Sequence, residues 1–459
     1  MTLETKSLDL LKEALEVLDK SFSDLPAFQG VADLDRIRPI LLEVAEKMQD
    51  NFPYPHPFYL GQMLQPPHPV ARLAYMLSMW VNPNNHALDG GRASSALERE
   101  AVAEIAAMFG WPTHLGHLCG GGTVANLEAL WIAHRLNPGS VTLANAQAHY
   151  THERLCGELL QIPFRKVEPD AEGRMSLVAL ERELETGQVG TVVVTMGTSS
   201  EGQVDPLPGI LKLREKYPFR IHADAAYGGY YALGGNLAPE VKAAFDHLSE
   251  VDSLVIDPHK RGLQPYGCGC VLFKDPSVGR FYRHDSPYTY FSSHEHHLGE
   301  ITLECSRPGS SAVALWATQK MMPLQPGGEL ANILDITREA ALDLHGRIQQ
   351  SPYFQSLFVP DLDLVVWAPQ AGQASDVSRL SQEVFDRCAQ RGLHLALTRC
   401  RRLMVEPHWP ELDWSAESSI LCLRSCLMKP EHKDWMDQIW AVLQSVAQEF
   451  VGLPSGQGV

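Results

Sequence analysis

A mostly parallel α/β sheet flanked by helices, preceded by a helical segment and followed by a small α+β domain, is the architecture this sequence predicts. Three observations predict it. Strand-like and helix-like segments alternate from about residue 140 to 275, the pattern of a parallel sheet with crossover helices. Leucines recur at helical spacing over residues 7–20 and again near 34–49. Pro323-Leu324-Gln325-Pro326-Gly327-Gly328 breaks the chain before a second, shorter set of helices and strands. The division expected is an N-terminal helical and dimerisation segment over 1–85, an α/β domain over 86–325 and an α+β domain over 326–459.

The elements follow in order. After the two leading helices, residues 52–69 hold six prolines and several rings, which excludes regular structure and predicts an ordered loop. A helix resumes at Leu73–Met79. Ser95 and Glu98 have the spacing of a capping box and are expected to open the next helix, which runs through Phe109. Strands are expected at 140–144, 163–167, 190–196, 218–224, 252–257 and 267–273, the last of them antiparallel because only a short loop precedes it. Helices are expected between the first five, at 150–161, 175–186, 206–216 and 238–249. Beyond the boundary come a helix at 329–349, strands at 362–368, 393–398, 402–406 and 419–424, and a closing helix at 431–450.

Composition narrows the function. The 459 residues carry 38 basic and 55 acidic side chains, a net charge of −17. A chain so acidic is a poor partner for nucleic acid or an anionic membrane. No stretch approaches the roughly 20 apolar residues of a transmembrane helix. The N-terminus, with Glu4, Asp9 and Glu13, lacks a basic-then-apolar leader, so a cytoplasmic protein is expected. Nine scattered cysteines fit reduced, buried thiols.

The chemistry gathers at strand ends. Asp257-Pro258-His259-Lys260 follows the apolar run Leu254-Val255-Ile256, which puts a lysine amine where a buried strand stops. Desolvation favours a neutral, nucleophilic amine. Gly120-Gly121-Gly122-Thr123 stands before a strong helix, an arrangement that offers backbone donors and a hydroxyl to a phosphate. Asp224 ends the strand containing Ile221 and His222, where a carboxylate needs a cationic or proton-donating partner. His149 follows the strand at 140–144 and offers a flat ring. The run His294-Glu295-His296-His297, with Cys305, lacks metal-ligand spacing, and no metal site is expected.

Taken in chain order, the Gly/Thr turn, Ala148-His149-Tyr150, His222-Ala223-Asp224-Ala225-Ala226-Tyr227-Gly228-Gly229 and Asp257-Pro258-His259-Lys260 resemble the group II pyridoxal-phosphate-dependent amino-acid decarboxylases, of fold type I. The resemblance covers about residues 50–320 well and the C-terminal part more loosely. It implies the cofactor pyridoxal 5'-phosphate, held covalently by Lys260. It implies that Asp224 keeps the pyridine nitrogen protonated, with Ala226 beside the ring and His149 stacked on it. Gly121, Gly122 and Thr123 would seat the phosphate, Thr198 would lie near the cofactor, and His259 would precede the lysine. Gln62 and Arg424 would meet the substrate, Arg424 through its α-carboxylate. Tyr288 or Tyr290 would return a proton to the α-carbon, with His259 or His149 as the alternative.

Two departures stand out. Cys119 replaces a serine common before the glycines, and Arg261-Gly262 replaces a common Trp-Leu, which bears on how the lysine is packed. The implied activity is release of CO2 and an amine from an L-amino acid. Aromatics at 52–59 and around Tyr288, Tyr290 and Phe291 favour a tyrosine-like substrate. Gln62, with Arg424 and Arg92, leaves aspartate or glutamate open. Another lyase or an aldehyde-forming enzyme on the same fold also stays open. A homodimer is implied, with residues 283–299 completing the neighbouring site and no nucleic-acid or membrane partner.

Overall fold

The structure is a computed structural model, and it describes residues 6–26, 33–283 and 298–451. Helices α1 (Ser7–Lys20) and α2 (Leu34–Lys47) form where the leucine spacing predicts them, and Asp33 caps α2 by accepting from the Arg36 N–H. Of the two, α1 buries only Leu11 and α2 buries nothing. Helix α3 (Pro69–Met79) starts on a proline, whose missing N–H costs nothing at that position. Helix α4 (Arg92–Met108) begins three residues before Ser95, with Gly91 at its N-cap. The expected capping box is therefore inside the helix. Glu98 has another use: its buried carboxylate accepts from the Leu118 N–H at 3.0 Å and pairs with Arg307 at 2.9 Å.

The main sheet has seven strands. In chain order its elements are β1 (Leu115–Cys119), α5 (Gly122–Leu136), β2 (Val141–Asn145), α6 (Thr151–Arg154, continuing as a π-helical turn over Leu155–Leu160), β3 (Phe164–Val167), α7 (Leu177–Leu184), β4 (Val189–Thr195), α8 (Leu207–Lys216), β5 (Arg220–Asp224), α9 (Pro239–Asp246), β6 (Ser253–Ile256), α10 (Pro258–Arg261) and β7 (Gly269–Phe273). The spatial order is β1-β7-β6-β5-β4-β2-β3. Strands β3, β2, β4, β5 and β6 run parallel, and β7 lies antiparallel between β6 and β1. Every residue of β2, β4, β6 and β7 is buried, because helices cover both faces. The register pairs Thr195 with Asp224 and Asp224 with Val255, so the carboxyl ends of β4, β5 and β6 lie side by side.

Helix α11 (Ser310–Met321) packs on α3 and α4 and leads to α12 (Glu329–Gln349). The remainder is β8 (Phe354–Ser356), β9 (Leu364–Pro369), α13 (Ala374–Gln390), β10 (Ala396–Arg401), α14 (Arg402–Val405), β11 (Ser419–Cys426), α15 (Glu431–Asp434) and α16 (Met436–Val451). Its sheet is antiparallel in the order β10-β11-β9-β8. The strand expected at 402–406 is the helical turn α14, which buries Met404 and Val405; four residues are too few for periodicity to separate the two forms. The proline-rich loop is anchored on this sheet, with Leu60 N–H donating to His394 O and Cys426 N–H to Leu60 O.

Candidate active site

A cavity of about 320 Å³ opens at the carboxyl ends of β4, β5 and β6, facing the start of α5. Lys260 reaches it from α10, a single turn that Pro258 starts directly after β6. Its Nζ lies 3.1 Å from Asp257 Oδ2, and the side chain is 23% exposed. Asp257 is buried, and its Oδ1 has no partner among the described residues. His259 donates from Nδ1 to Cys268 O at 2.8 Å and turns Nε2 toward Asp257, 3.5 Å away. Burial lowers its pKa, so the ring is neutral at neutral pH. Tyr266 lines the cavity with its ring centroid 4.8 Å from that of His259.

Asp224 is buried at the end of β5. It accepts from Ala226 N–H at 3.2 Å and from His152 Nε2 at 2.7 Å. Burial alone would raise its pKa. The His152 hydrogen bond, with Lys260 nearby, outweighs burial and holds the carboxyl well below the usual range. His222, on the same strand, has both ring nitrogens engaged, Nδ1 with Ser253 Oγ at 2.9 Å and Nε2 with Asn126 Oδ1 at 2.8 Å. Burial pushes its pKa down to about 3.

The glycine turn meets the cavity from the other side. Gly121 has φ +141°, a conformation that a side chain opposes. A Cβ on Gly122 would lie 2.8 Å from Asp257 Oδ2. No side chain caps α5, so the N–H groups of its first turn remain for a ligand. Thr123 accepts from Thr151 Oγ1 at 3.5 Å. His149 is half-buried on the cavity wall, and its Nδ1 accepts from Thr151 N–H at 3.3 Å. Burial, the largest influence, keeps its ring neutral as well.

The structure thus brings Gly121, Gly122, Thr123, His149, Asp224, Ala226, His259 and Lys260 onto one cavity. Thr198 is not on it. That side chain is fully buried and donates to Glu201 Oε2 at 3.1 Å, while its neighbours Gly197 and Ser199 line the wall. The positive φ of Gly197 turns the loop by one residue relative to expectation. Gln62 and Arg424 meet each other just behind Ser199: Arg424 donates to Ser199 O at 2.6 Å and to Gln62 Oε1 at 3.1 Å. Tyr288, Tyr290 and the His294–His297 run lie outside the described residues. Arg261 turns away from the cavity into the second lobe, donating to Met428 O and to Thr337 Oγ1, both at 2.7 Å, and pairing with Asp363 at 3.2 Å. Sequence reasoning missed His152, Asn126, Thr151 and Tyr266. Only His152 had a signal, lying three residues after His149, whose carbonyl accepts from the His152 N–H at 3.2 Å.

These residues fit pyridoxal phosphate: an amine, a buried acid for a ring nitrogen, a flat imidazole and an uncapped helix start whose glycines leave room for an anion. Seven strands of this order with such a site at their rim define a pyridoxal-phosphate enzyme of fold type I. Residues 128–367 match the pyridoxal-dependent decarboxylase conserved domain, and the chain belongs to that family. It is 26% identical to the L-tyrosine decarboxylase of Enterococcus faecium, over 90% of this chain and 89% of that one. It is 28% identical to a probable L-tyrosine/L-aspartate decarboxylase of Methanothermobacter thermautotrophicus, over 76% of this chain and 92% of the relative. The fold of Oryza sativa TDC, solved with PLP and tryptamine, superposes with a TM-score of 0.77 at 16% identity, covering 97% of this chain and 96% of that one. The protein is a pyridoxal-phosphate-dependent carboxy-lyase.

Proposed function

We propose that the chain removes the α-carboxylate of an aromatic, tyrosine-like L-amino acid. The similarity to the tyrosine enzyme of Enterococcus faecium across 90% of the chain carries this reading. Tyr266, an aromatic wall of the cavity, supports it. A specific observation favours aspartate as the second reading. The relative from Methanothermobacter thermautotrophicus is named for L-aspartate as well as L-tyrosine, and Gln62, which accepts from Arg424, fits an acidic substrate.

Each side chain has a task. Lys260 Nζ would hold the cofactor aldehyde. The first turn of α5, with Gly121, Gly122 and Thr123, would bind the phosphate. Asp224 would keep a proton on the ring nitrogen, and His149 would cover a ring face. When bound, pyridoxal phosphate supplies a ring that accepts the electron pair left as CO2 departs. Arg424 orients the substrate carboxylate. A proton then reaches the α-carbon from Tyr288, Tyr290 or one of the neutral imidazoles, His149 or His259.

The assembly is a homodimer. The exposed apolar rows of α1 and α2, including Leu34, Ile37, Ile40, Leu41 and Val44, offer the surface for it. A cytoplasmic location fits the nine free cysteines, eight of them buried, and among the described residues no helix is long and apolar enough to cross a membrane. CO2 release measured over the twenty L-amino acids tests the substrate. Tyramine from tyrosine, at a kcat/KM at least about tenfold above that for any acidic amino acid, is expected. β-Alanine from aspartate as the main product would replace the first reading with the second.

A further inference from the structure

His152 has no part in the chemistry above, yet it is 1% exposed and makes the shortest side-chain contact to Asp224, 2.7 Å from Nε2 to Oδ2. A carboxylate only accepts, so the proton of this bond sits on Nε2. The other nitrogen, Nδ1, is buried and has no partner among the described residues. A ring protonated on both nitrogens would bury an N–H without an acceptor. The environment therefore selects one tautomer, the one that donates to Asp224.

Among the described residues, the other groups around Asp224 do not do the same. His222 commits one nitrogen to Ser253 and the other to Asn126. His149 commits Nδ1 to the Thr151 N–H. Lys260 is paired with Asp257. Among the described residues, His152 alone places a side-chain N–H on the Asp224 carboxylate. The backbone explains how: His152 N–H donates to His149 O at 3.2 Å, so one turn sets His149 on the cavity wall and His152, inside α6, against the carboxylate.

We propose that His152 is a positioning residue, which fixes the orientation of the Asp224 carboxylate and keeps it ionised toward the cofactor's ring nitrogen. This rests on the reading that Asp224 faces that nitrogen. The two are separable by experiment. If the Asp224 reading fails, Asp224→Asn binds pyridoxal phosphate like the parent chain. If only the present inference fails, Asp224→Asn binds weakly while the His152 variants do not.

The test compares His152→Gln and His152→Met, residues of similar size of which only glutamine can donate. The apo chains are titrated with pyridoxal phosphate, and the pH dependence of the bound cofactor's visible band is recorded. The methionine variant should bind at least about tenfold more weakly, as loss of a hydrogen bond to a charged group implies, with the band's pH transition displaced. The glutamine variant should stay within about threefold of the parent. Equal affinity and equal band transitions in the parent and methionine chains would overturn the proposal, as would equal losses in both variants. The unaltered chain gives an independent reading: the 15N shifts of His152 should show Nε2 protonated and Nδ1 bare at neutral pH. The opposite tautomer would overturn the proposal even if neither variant folds.

Discussion

In the function proposed above, Lys260 carries the cofactor's covalent bond and Asp224 its charge, and their replacement has different expected outcomes. Lys260→Ala should fold but show no visible absorbance from covalently held cofactor after gel filtration. Asp224→Asn should keep the shape of the carboxylate and lose its charge, and kcat/KM should fall by about a hundredfold or more, near 3 kcal/mol of transition-state stabilisation. Steady-state kinetics at saturating cofactor check this. Both residues were legible in the sequence because Asp224 ends β5 and Lys260 follows the apolar β6 by one turn, at the strand ends where ligands bind. Thr198 was misplaced by one position because the sequence does not reveal that Gly197 takes φ +106° and points Ser199 inward. His152 escaped notice because its partner lies 72 residues away, on a neighbouring element.

At the scale of elements, the glycine turn before α5 is the part most sensitive to small changes. A methyl on Gly121 opposes φ +141° and would come 3.2 Å from the His259 ring, and one on Gly122 would crowd Asp257. Gly121→Ala is expected to weaken cofactor binding by about tenfold or more, since the backbone must shift where the phosphate sits. Fluorescence titration of the apo chain reads this directly. The parallel strands were readable from their alternation with helical segments, and β4 and β6 also from their apolar runs. β1 was not: its five residues, Leu-Gly-His-Leu-Cys, contain neither a β-branched residue nor an aromatic. β8 is only three residues long. The capping-box motif misled because Glu98 is drawn into the core by Arg307 and the Leu118 amide. Glu98→Ala should cost about 3 kcal/mol or more in urea unfolding, because Arg307 would keep a buried charge without its partner.

Across the whole molecule, acid should unfold the chain through buried imidazoles. Burial pushes His222 and His432 down to about 3, from an ordinary 6.5. Their folded-state pKa values are depressed, so the unfolded chain takes up protons that the folded chain refuses. Their contribution is full above about pH 6.5 and is lost as pH falls toward 3. From about pH 7 to about pH 5 each should remove up to about 2 kcal/mol of stability. His222→Gln should flatten the slope by that amount in urea melts at the two pH values. The same scale holds what the sequence showed least. Apolar spacing announced α1 and α2 as amphipathic, but not that α1 would bury only Leu11 and α2 nothing; in the homodimer proposed above a second copy covers them. Sedimentation should give twice the chain mass, and Ile40→Glu with Leu41→Glu should halve it.

The residue next to the cofactor lysine has a consequence for engineering this enzyme. Arg261 fastens α10 to the Met428 carbonyl, to Thr337 and to Asp363, and Asp363 in turn accepts from Tyr227 on the cavity wall. A fragment ending near residue 325 would strand that guanidinium without an anion. Modular swapping of the C-terminal half between homologues will therefore disturb the reactive amine unless the replacement half brings a matching acid and carbonyl for Arg261.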